Sequence, residues 1–489
     1  MKKLAALVAL VLLLLVLAPG VAGFMVRSVV ADRVDFINRE NQDVITLEMQ
    51  DYQRGWFSSS AVLNVEFADG YRDVMTEVLR AKTDGDPLVI GFYQAALVSR
   101  LSVVVGINHG PLLINDGIQL GLGSVTAELD ASSGEFNRIR EYLGVPYLLR
   151  QYSHIGFSGG IDFRGDIPPF EVQQTSTEVR FSGLDYTGSA DIYSGKVDIN
   201  VAAKELVFDS LAGTTRFAGL SYVGDHTQIQ PAVWIGEATF GLASSSAVDP
   251  LGYEFFNLQN LGLVAKVNAD SSGQVVDLDA LYTIDKVTGA GELDVSDVSL
   301  ALRFGRLDLA ALSAFVEMNK TGRIEDTPVE ELRAAVYQLT AASPTFEFGP
   351  LRTLWQQDQL EAALTVSLDA SGLPGYESFN VTDTQMWMAI VDTDAYINLS
   401  DNMALQLAAQ FAANQIVAGL QAEGRTANAV DIEKLAREQA PVLLVNYTQQ
   451  GVLLKTATGY SSKLLLKDGM LEINDSPVSL GGMQQGLGR

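Results

Sequence analysis

The chain has 489 residues, 47% of them apolar, with 44 glycines, 14 prolines and no cysteine. That length suits about two to four folded domains, and the missing thiols exclude disulfides, thiol catalysis and lipidation of an N-terminal cysteine. The formal net charge of −26 excludes nucleic-acid binding by phosphate neutralisation and disfavours docking on anionic lipid headgroups.

The chain starts Lys2-Lys3, runs from Leu4 to Val26 without a charge, and resumes with Arg27. As a helix this run is about 34 Å long, enough for a hydrocarbon core of about 30 Å. It reads as a signal anchor, residues 1–27, or as a cleaved signal. The best cleavage site, Val21-Ala22-Gly23, is poor and the apolar run continues past it, so the length rules favour the anchor. Lys2 and Lys3 keep the N-terminus inside and send the body out. Past the span the chain holds 31 basic and 59 acidic residues, a charge of −28.

Tyr52-Gln-Arg54-Gly55-Trp56-Phe57-Ser58-Ser59 places two large aromatics close in sequence to the membrane. They read either as packing at a sheet end or as a contact for lipid or a partner. Tyr71, Val74, Met75, Val78 and Leu79 have helical spacing. Leu88–Ser99 is too short to cross a membrane before Arg100 interrupts it. Asn108-His109-Gly110-Pro111 ends an apolar strand, Leu101–Ile107, and reads as a turn. A catalytic His109 would lack any visible partner.

From about 150 to 304 the period is two, as in Val197, Ile199, Val201, Ala203 and in Val276, Leu278, Ala280, Tyr282, Ile284. This predicts antiparallel strands with one apolar and one solvated face. At Ser296-Asp297 the phase slips by one residue, as at a β-bulge. Phe181-Ser-Gly-Leu-Asp-Tyr-Thr-Gly188 recurs as Phe217-Ala-Gly-Leu-Ser-Tyr-Val-Gly224. The match is either a repeated unit in one growing sheet or chance recurrence of strand ends. We divide the exported part into a β-rich region, 28–304, and an α+β region, 305–480, with a disordered tail, 481–489.

In the second region Thr327-Pro328-Val-Glu330 predicts a helix start with a capping box. Leu360, Ala362, Leu364, Val366 and Leu368 predict a strand. Asp401 and Asp431 are candidate caps of two helices, ending near Gly424 and before Pro441. Leu464 to Ile473 predicts two strands joined at Asp468-Gly469. The fold class is α+β and strand-dominated: an N-terminal transmembrane helix, an elongated antiparallel sheet body, and helices mainly in the C-terminal half.

His109, His154 and His226 are too far apart for metal-ligand spacing, and Asp392-Thr-Asp394 fails as a calcium loop because Tyr396, Ile397 and Met403 occupy ligand and turn positions. No cofactor motif is present in a workable context. No catalytic residue and no metal ligand is assigned. Carboxylate pairs are too numerous among 59 acids for one to stand out.

Arg54-Gly-Trp-Phe-Ser-Ser59, His109-Gly-Pro111, the Gly-punctuated strands and the C-terminal helix pair leading to Lys467-Asp-Gly469-Met-Leu-Glu-Ile473-Asn474, behind the anchor, resemble the YdgA-like family of bacterial proteins. The resemblance spans most of the chain. It implies an inner-membrane-anchored, single-pass protein of Gram-negative bacteria with a β-rich periplasmic body, and it supplies no activity. The leading functional expectation is non-enzymatic work in envelope assembly or homeostasis, with an apolar sheet face sheltering a lipid or hydrophobic partner segment. Trp56, Phe57 and His109 are the candidate contact residues. The alternatives are a carboxylate-dependent hydrolase of envelope polymers and a structural partner of a membrane complex. Candidate partners are the inner membrane through residues 4–26, a lipid, an envelope protein and a second copy of the chain. No nucleic acid and no cofactor is expected.

Overall fold

The structure, a computed structural model, describes residues 31, 34–35, 38–39, 44–82, 101–110, 112–114, 118–132, 134–174, 176–191, 193–230, 233–290, 293–319, 328–422 and 428–478. The proposed anchor, the tail, Leu88–Ser99, Pro111, Thr327 and Gly424 lie outside them. Among the described residues no helix is long and apolar enough to cross a membrane. The chain divides into two compact units, residues 1–240 with 313–328 and residues 241–312 with 329–489. Strands dominate both.

The first unit opens with β1 (Ile45–Arg54), β2 (Ser58–Phe67), α1 (Asp69–Lys82), β3 (Leu101–His109), and the small hairpin β4 (Leu112–Ile114) and β5 (Ile118–Leu120). It continues with β6 (Gly123–Leu129), α2 (Gly134–Leu143), β7 (Arg150–Ile155), β8 (Gly160–Ile167), β9 (Phe170–Gln174), β10 (Thr177–Phe181), β11 (Leu184–Asp191), β12 (Lys196–Ser210) and β13 (Gly213–Gln230). The unit division falls within β14 (Val233–Val248). Every pairing is antiparallel, in the order β1-β2-β3-β6-β7-β8-β11-β12-β13. The hairpin β9–β10 extends β8 and β11 and joins the far half of β12.

The sequence repeat has a place in this sheet. Its two copies flank β12 in one register: Phe181 and Phe217 both face Leu206, Leu184 and Leu220 both face Ala203, and Tyr186 and Tyr222 both face Val201. The glycine shared by the copies has φ of +91° at Gly183 and +68° at Gly219, a conformation that a Cβ opposes. At this level the apolar series in four neighbouring strands slips by one residue, from Ile167 to Phe170, Leu184 to Phe181, Ala203 to Leu206 and Leu220 to Phe217. The Ser182 hydroxyl bridges the gap, accepting from the Glu205 amide at 2.8 Å and donating to its carbonyl at 3.1 Å. The repeat therefore encodes one crease across the sheet, written once on each side of β12.

The second unit holds β15 (Glu254–Ala269), β16 (Val275–Gly289), β17 (Leu293–Asp308), β18 (Thr345–Trp355), β19 (Asp358–Leu368), β20 (Val391–Ser400), β21 (Leu454–Lys455), β22 (Gly459–Lys467), β23 (Met470–Ile473) and β24 (Ser476–Val478). Strands β15 to β20 pair in chain order, and β22 joins β20. A bulge interrupts β17 against β18 between Ser296 and Ser299, as the phase slip predicts, with Asp297 at φ +52°. Asn260 on β15 has φ +51°, and its amide donates to Asp285 on β16 at 2.6 Å. This second crease uses Asn and Asp, which tolerate the left-handed region better than other side chains.

Helices α3 (Leu309–Asn319), α4 (Val329–Ala341), α5 (Thr384–Ile390), α6 (Asp401–Ala422) and α7 (Ala429–Gln449) enter late in the chain. The α6–α7 pair buries Met403, Ala404, Ala412, Ala436, Ala440 and Leu444, and α6 meets β19, β20 and β22. Three end assignments differ from the sequence reading. The Ser400 hydroxyl, not Asp401, accepts the Met403 amide, because the Asp401 carboxylate pairs with Lys455. Asn428, not Asp431, caps α7. That helix also runs through Pro441 rather than stopping before it; burial of Ala440 and Leu444 on either side offsets the missing hydrogen bond. Asp468-Gly469 (φ +51° and +73°) and Asn474-Asp475 (φ +50° and +60°) form the two C-terminal turns.

Candidate functional site

Three surfaces of the first unit carry the residues with functional potential. The first is the β1–β2 turn, Gly55-Trp56-Phe57. Here the structure brings the three sequence-predicted contact residues together, because β2 pairs with β3 and sets Ser58 opposite Asn108. The His109 amide donates to the Phe57 carbonyl at 2.7 Å. Trp56 and Phe57 are 50% and 59% exposed at the turn, while His109 beneath them is 2% exposed. Neither His109 ring nitrogen has a hydrogen-bond partner among the described residues. Burial lowers the His109 pKa below 6.5 and the Arg54 guanidinium lowers it further. The Trp56 carbonyl pulls the other way, through an approach that falls short of ordinary hydrogen-bond geometry. A neutral imidazole sealed from solvent can position the turn but cannot reach a dissolved substrate.

The second surface is apolar. Residues directly opposite in an antiparallel sheet share a face, so the registers assign every strand. Gln151, Gly165, Tyr186, Val201 and Tyr222 lie side by side across β7, β8, β11, β12 and β13. Ser153, Phe163, Gly188, Ile199 and Gly224 form the next row, and Ile155, Ile161, Ala190, Val197 and His226 the one after. Aromatic rings cover the glycines opposite them: a Cβ on Gly165 would overlap Tyr186, and one on Gly188 would meet Phe163 at 2.5 Å. Tyr186 crosses Gly165 to donate its hydroxyl to Gln151 at 3.0 Å. The same face is deeply buried toward β2 and β3, where Ile107 is 1% exposed and packs with Val105, Leu63, Val103, Val125 and Ala127. Across β8, β11 and β12 the apolar side chains Ile161, Phe163, Tyr186, Ile199 and Val201 are only partly buried. Among the described residues α2 meets β9, α3 reaches the end of β13, where the Ser313 hydroxyl donates to Gln230 at 3.0 Å, and no helix layers along β11 or β12.

The third surface is the opposite, polar face. One row reads Ser124, His154, Asp162, Ser189, Asp198, Asp225, and the next reads Thr126, Tyr152, Arg164, Thr187, Asn200, Val223. A trough of about 610 Å³ runs over Asp198, Asp225 and Glu237, and a second of about 370 Å³ over Tyr152, His154, Asp162 and Arg164. Thr187 belongs to both.

Two catalytic arrangements can be tested on these rows. Ser124, His154 and Asp162 stand in the order of a nucleophile relay, but the imidazole leans toward Gly121 on the β6 side, where a Cβ would sit 2.6 Å from Nε2. That is away from Asp162 on β8, so no relay is assembled. Asp198 and Asp225 face each other as a glycosidase pair would. Lys196 lies 3.6 Å from the first and 3.4 Å from the second, and Asp225 followed by Asp198 raises its pKa. Both carboxylates are thus engaged by one ammonium, an ion-pair arrangement rather than a pair left open to flank a glycosidic bond. No group of three or more metal-ligating side chains occurs among the described residues.

Trp56, Phe57 and His109 stand out in the sequence as candidate contacts, whereas the aromatic residues of the sheet face do not. Tyr186 and Tyr222 were in view as repeat positions. What made them one surface is the register on β12, which a single sequence does not display.

The model of a bacterial family, described as "Bacterial protein of unknown function (DUF945)", matches residues 1–481, and the chain belongs to that family. No curated protein and no solved structure matches the chain.

Proposed function

We propose that this member of the family is a non-enzymatic envelope protein, held at the bacterial inner membrane by residues 4–26 with its body in the periplasm. Its work is to shelter an acyl chain on the apolar sheet face in envelope assembly or homeostasis, as the YdgA-like resemblance and the uncharged N-terminal run suggest. The observation that carries the reading is the face itself. Phe163, Tyr186, Ile199, Val201 and Tyr222 form a contiguous apolar surface across β8 to β13, and no described helix layers along β11 or β12. An apolar face of this kind must be covered by a helix, a sheet or a ligand. A lipid tail needs no polar partners, and a formal charge of −28 past the span suits contact through tails rather than anionic headgroups. Trp56 and Phe57 are exposed at the turn between β1 and β2, a short way along the chain from the uncharged run, and aromatic rings of this kind favour the membrane interface.

Native mass spectrometry of the detergent-extracted full chain tests this. Wild type carries phospholipid adducts. Val201→Asp loses them, because a carboxylate in the middle of the face opposes an acyl chain, while Asp225→Asn on the polar face keeps them. Lipid-free wild type, or a folded Val201→Asp that retains its adducts, refutes the reading.

A further inference from the structure

We infer that one end of the first unit's sheet docks on the bilayer that holds residues 4–26, through a row of exposed turn residues, Trp56, Phe57, Leu120, Phe157 and Tyr193. The registers bring their turns to one end. Arg54 faces Ser59 across the β1–β2 turn and Ser58 faces Asn108, so that turn is level with the end of β3. His109 faces Gly123, Gly123 faces Ile155, and the β7–β8 turn follows at the same end. Gly160 faces Asp191, which adds the β11–β12 turn. Leu120 closes β5, two residues before Leu122, whose amide donates to the Ile155 carbonyl at 2.8 Å. The strands that meet this end, β1, β2, β3, β6, β7, β8, β11 and β12, span about 34 Å at about 4.8 Å between neighbours.

Leu120 is 67% exposed, Phe157 59% and Tyr193 81%, beside the exposed Trp56 and Phe57. Single exposed apolar side chains are ordinary, but a row at one end of one sheet marks a contact surface. The turns hold these rings outward. The Tyr193 ring lies where a Cβ on Gly159 (φ +86°) would be, and the Asp191 carboxylate accepts the Tyr193 and Ser194 amides at 2.8 and 2.9 Å. Charge identifies the partner. Residues 54–58, 108–123, 155–160 and 191–196 contain two bases, Arg54 and Lys196, and two acids, Asp116 and Asp191. The acid excess that keeps the rest of the molecule from an anionic leaflet is missing at this end, and aromatic rings partition to the membrane interface. The bilayer is also within reach. The Asn38 side chain donates to the Leu47 carbonyl at 2.8 Å and accepts the Leu47 amide at 2.6 Å. At most about 42 Å of chain separates Val26 from Asn38, and about 23 Å of β1 separates Leu47 from Arg54, so the uncharged run can lie level with this end.

The inference rests on the anchoring in the proposed function and not on the acyl-sheltering face. The chain has no cysteine, so Phe157→Cys, Tyr193→Cys and Leu211→Cys each take a single nitroxide label in the full chain. Leu211 is 80% exposed in the β12–β13 turn at the opposite end, since Lys196 faces Asp191 while Ser210 faces Gly213. Power-saturation electron paramagnetic resonance in nanodiscs of phosphatidylcholine and phosphatidylglycerol compares access of oxygen, which enters the bilayer, with access of a water-soluble nickel chelate. The oxygen-to-nickel ratio at 157 and 193 is severalfold higher than at 211. A chain that the discs do not retain overturns the anchored reading and the docking together. A retained chain whose labels at 157 and 193 match the label at 211 overturns the docking alone. So does loss of access to both reagents at 157 and 193, the mark of a protein seated on this end.

Discussion

Gly165 and Tyr186 form a pair whose coupling can be measured. The Tyr186 ring lies where a Cβ on Gly165 would be, and its hydroxyl reaches Gln151 at 3.0 Å across β8. Gly165→Ala therefore forces the ring to lift. Overpacking costs about 1–3 kcal/mol, and loss of the Tyr186–Gln151 bond about 0.5–1.5 kcal/mol, so the substitution destabilises by about 2–4 kcal/mol. In a Tyr186→Ala background the obstacle is gone. There Gly165→Ala is neutral within about 0.5 kcal/mol, or stabilises, because alanine restricts the unfolded chain. The double-mutant cycle then shows a coupling of about 2 kcal/mol. Urea denaturation followed by circular dichroism supplies the free energies. Amide exchange across β7, β8 and β11 locates the effect if the two units unfold separately. Additivity within about 0.5 kcal/mol would refute the argument that the ring occupies the space of the missing side chain.

Two further substitutions test other parts of the fold. The His109 pKa is lowered in the folded state, by burial first and Arg54 second. Its contribution to stability is therefore complete above the unfolded value of 6.5 and is lost as pH falls from there through the folded pKa, because only the unfolded state takes up the proton in that window. His109→Gln should flatten this part of the stability–pH curve, and an unchanged slope would show that the imidazole titrates freely. At Gly219, φ +68°, substitution by Ala should cost about 1–2 kcal/mol of left-handed strain, with Asn costing less. Thermal unfolding that ranks Asn no better than Ala would remove the crease as the reason for the repeated glycine.

Local rules made much of the fold legible. Period two in 197–203 and 276–284 predicted one-faced antiparallel strands, and the slip at Ser296-Asp297 predicted the bulge. Each depends on neighbours in the chain, because side-chain alternation and left-handed turns are set residue by residue. Helix ends were less legible. Asp401 was available as a cap until Lys455, distant in sequence, engaged its carboxylate, and packing around Ala440 and Leu444 carried α7 past Pro441.

What the sequence by itself determined is the uncharged N-terminal run, the acidic balance, the strand-dominated architecture and the positions where strands crease. Only the tertiary structure decided which faces those strands share. It sealed His109 under Trp56 and Phe57, joined Tyr186 and Tyr222 across Val201, and set His154 beside Asp162 while turning its ring toward Gly121. These are matters of register, and register is settled by which strand pairs with which. That choice depends on side chains tens of residues apart packing on one face, an energy that no window along the chain contains.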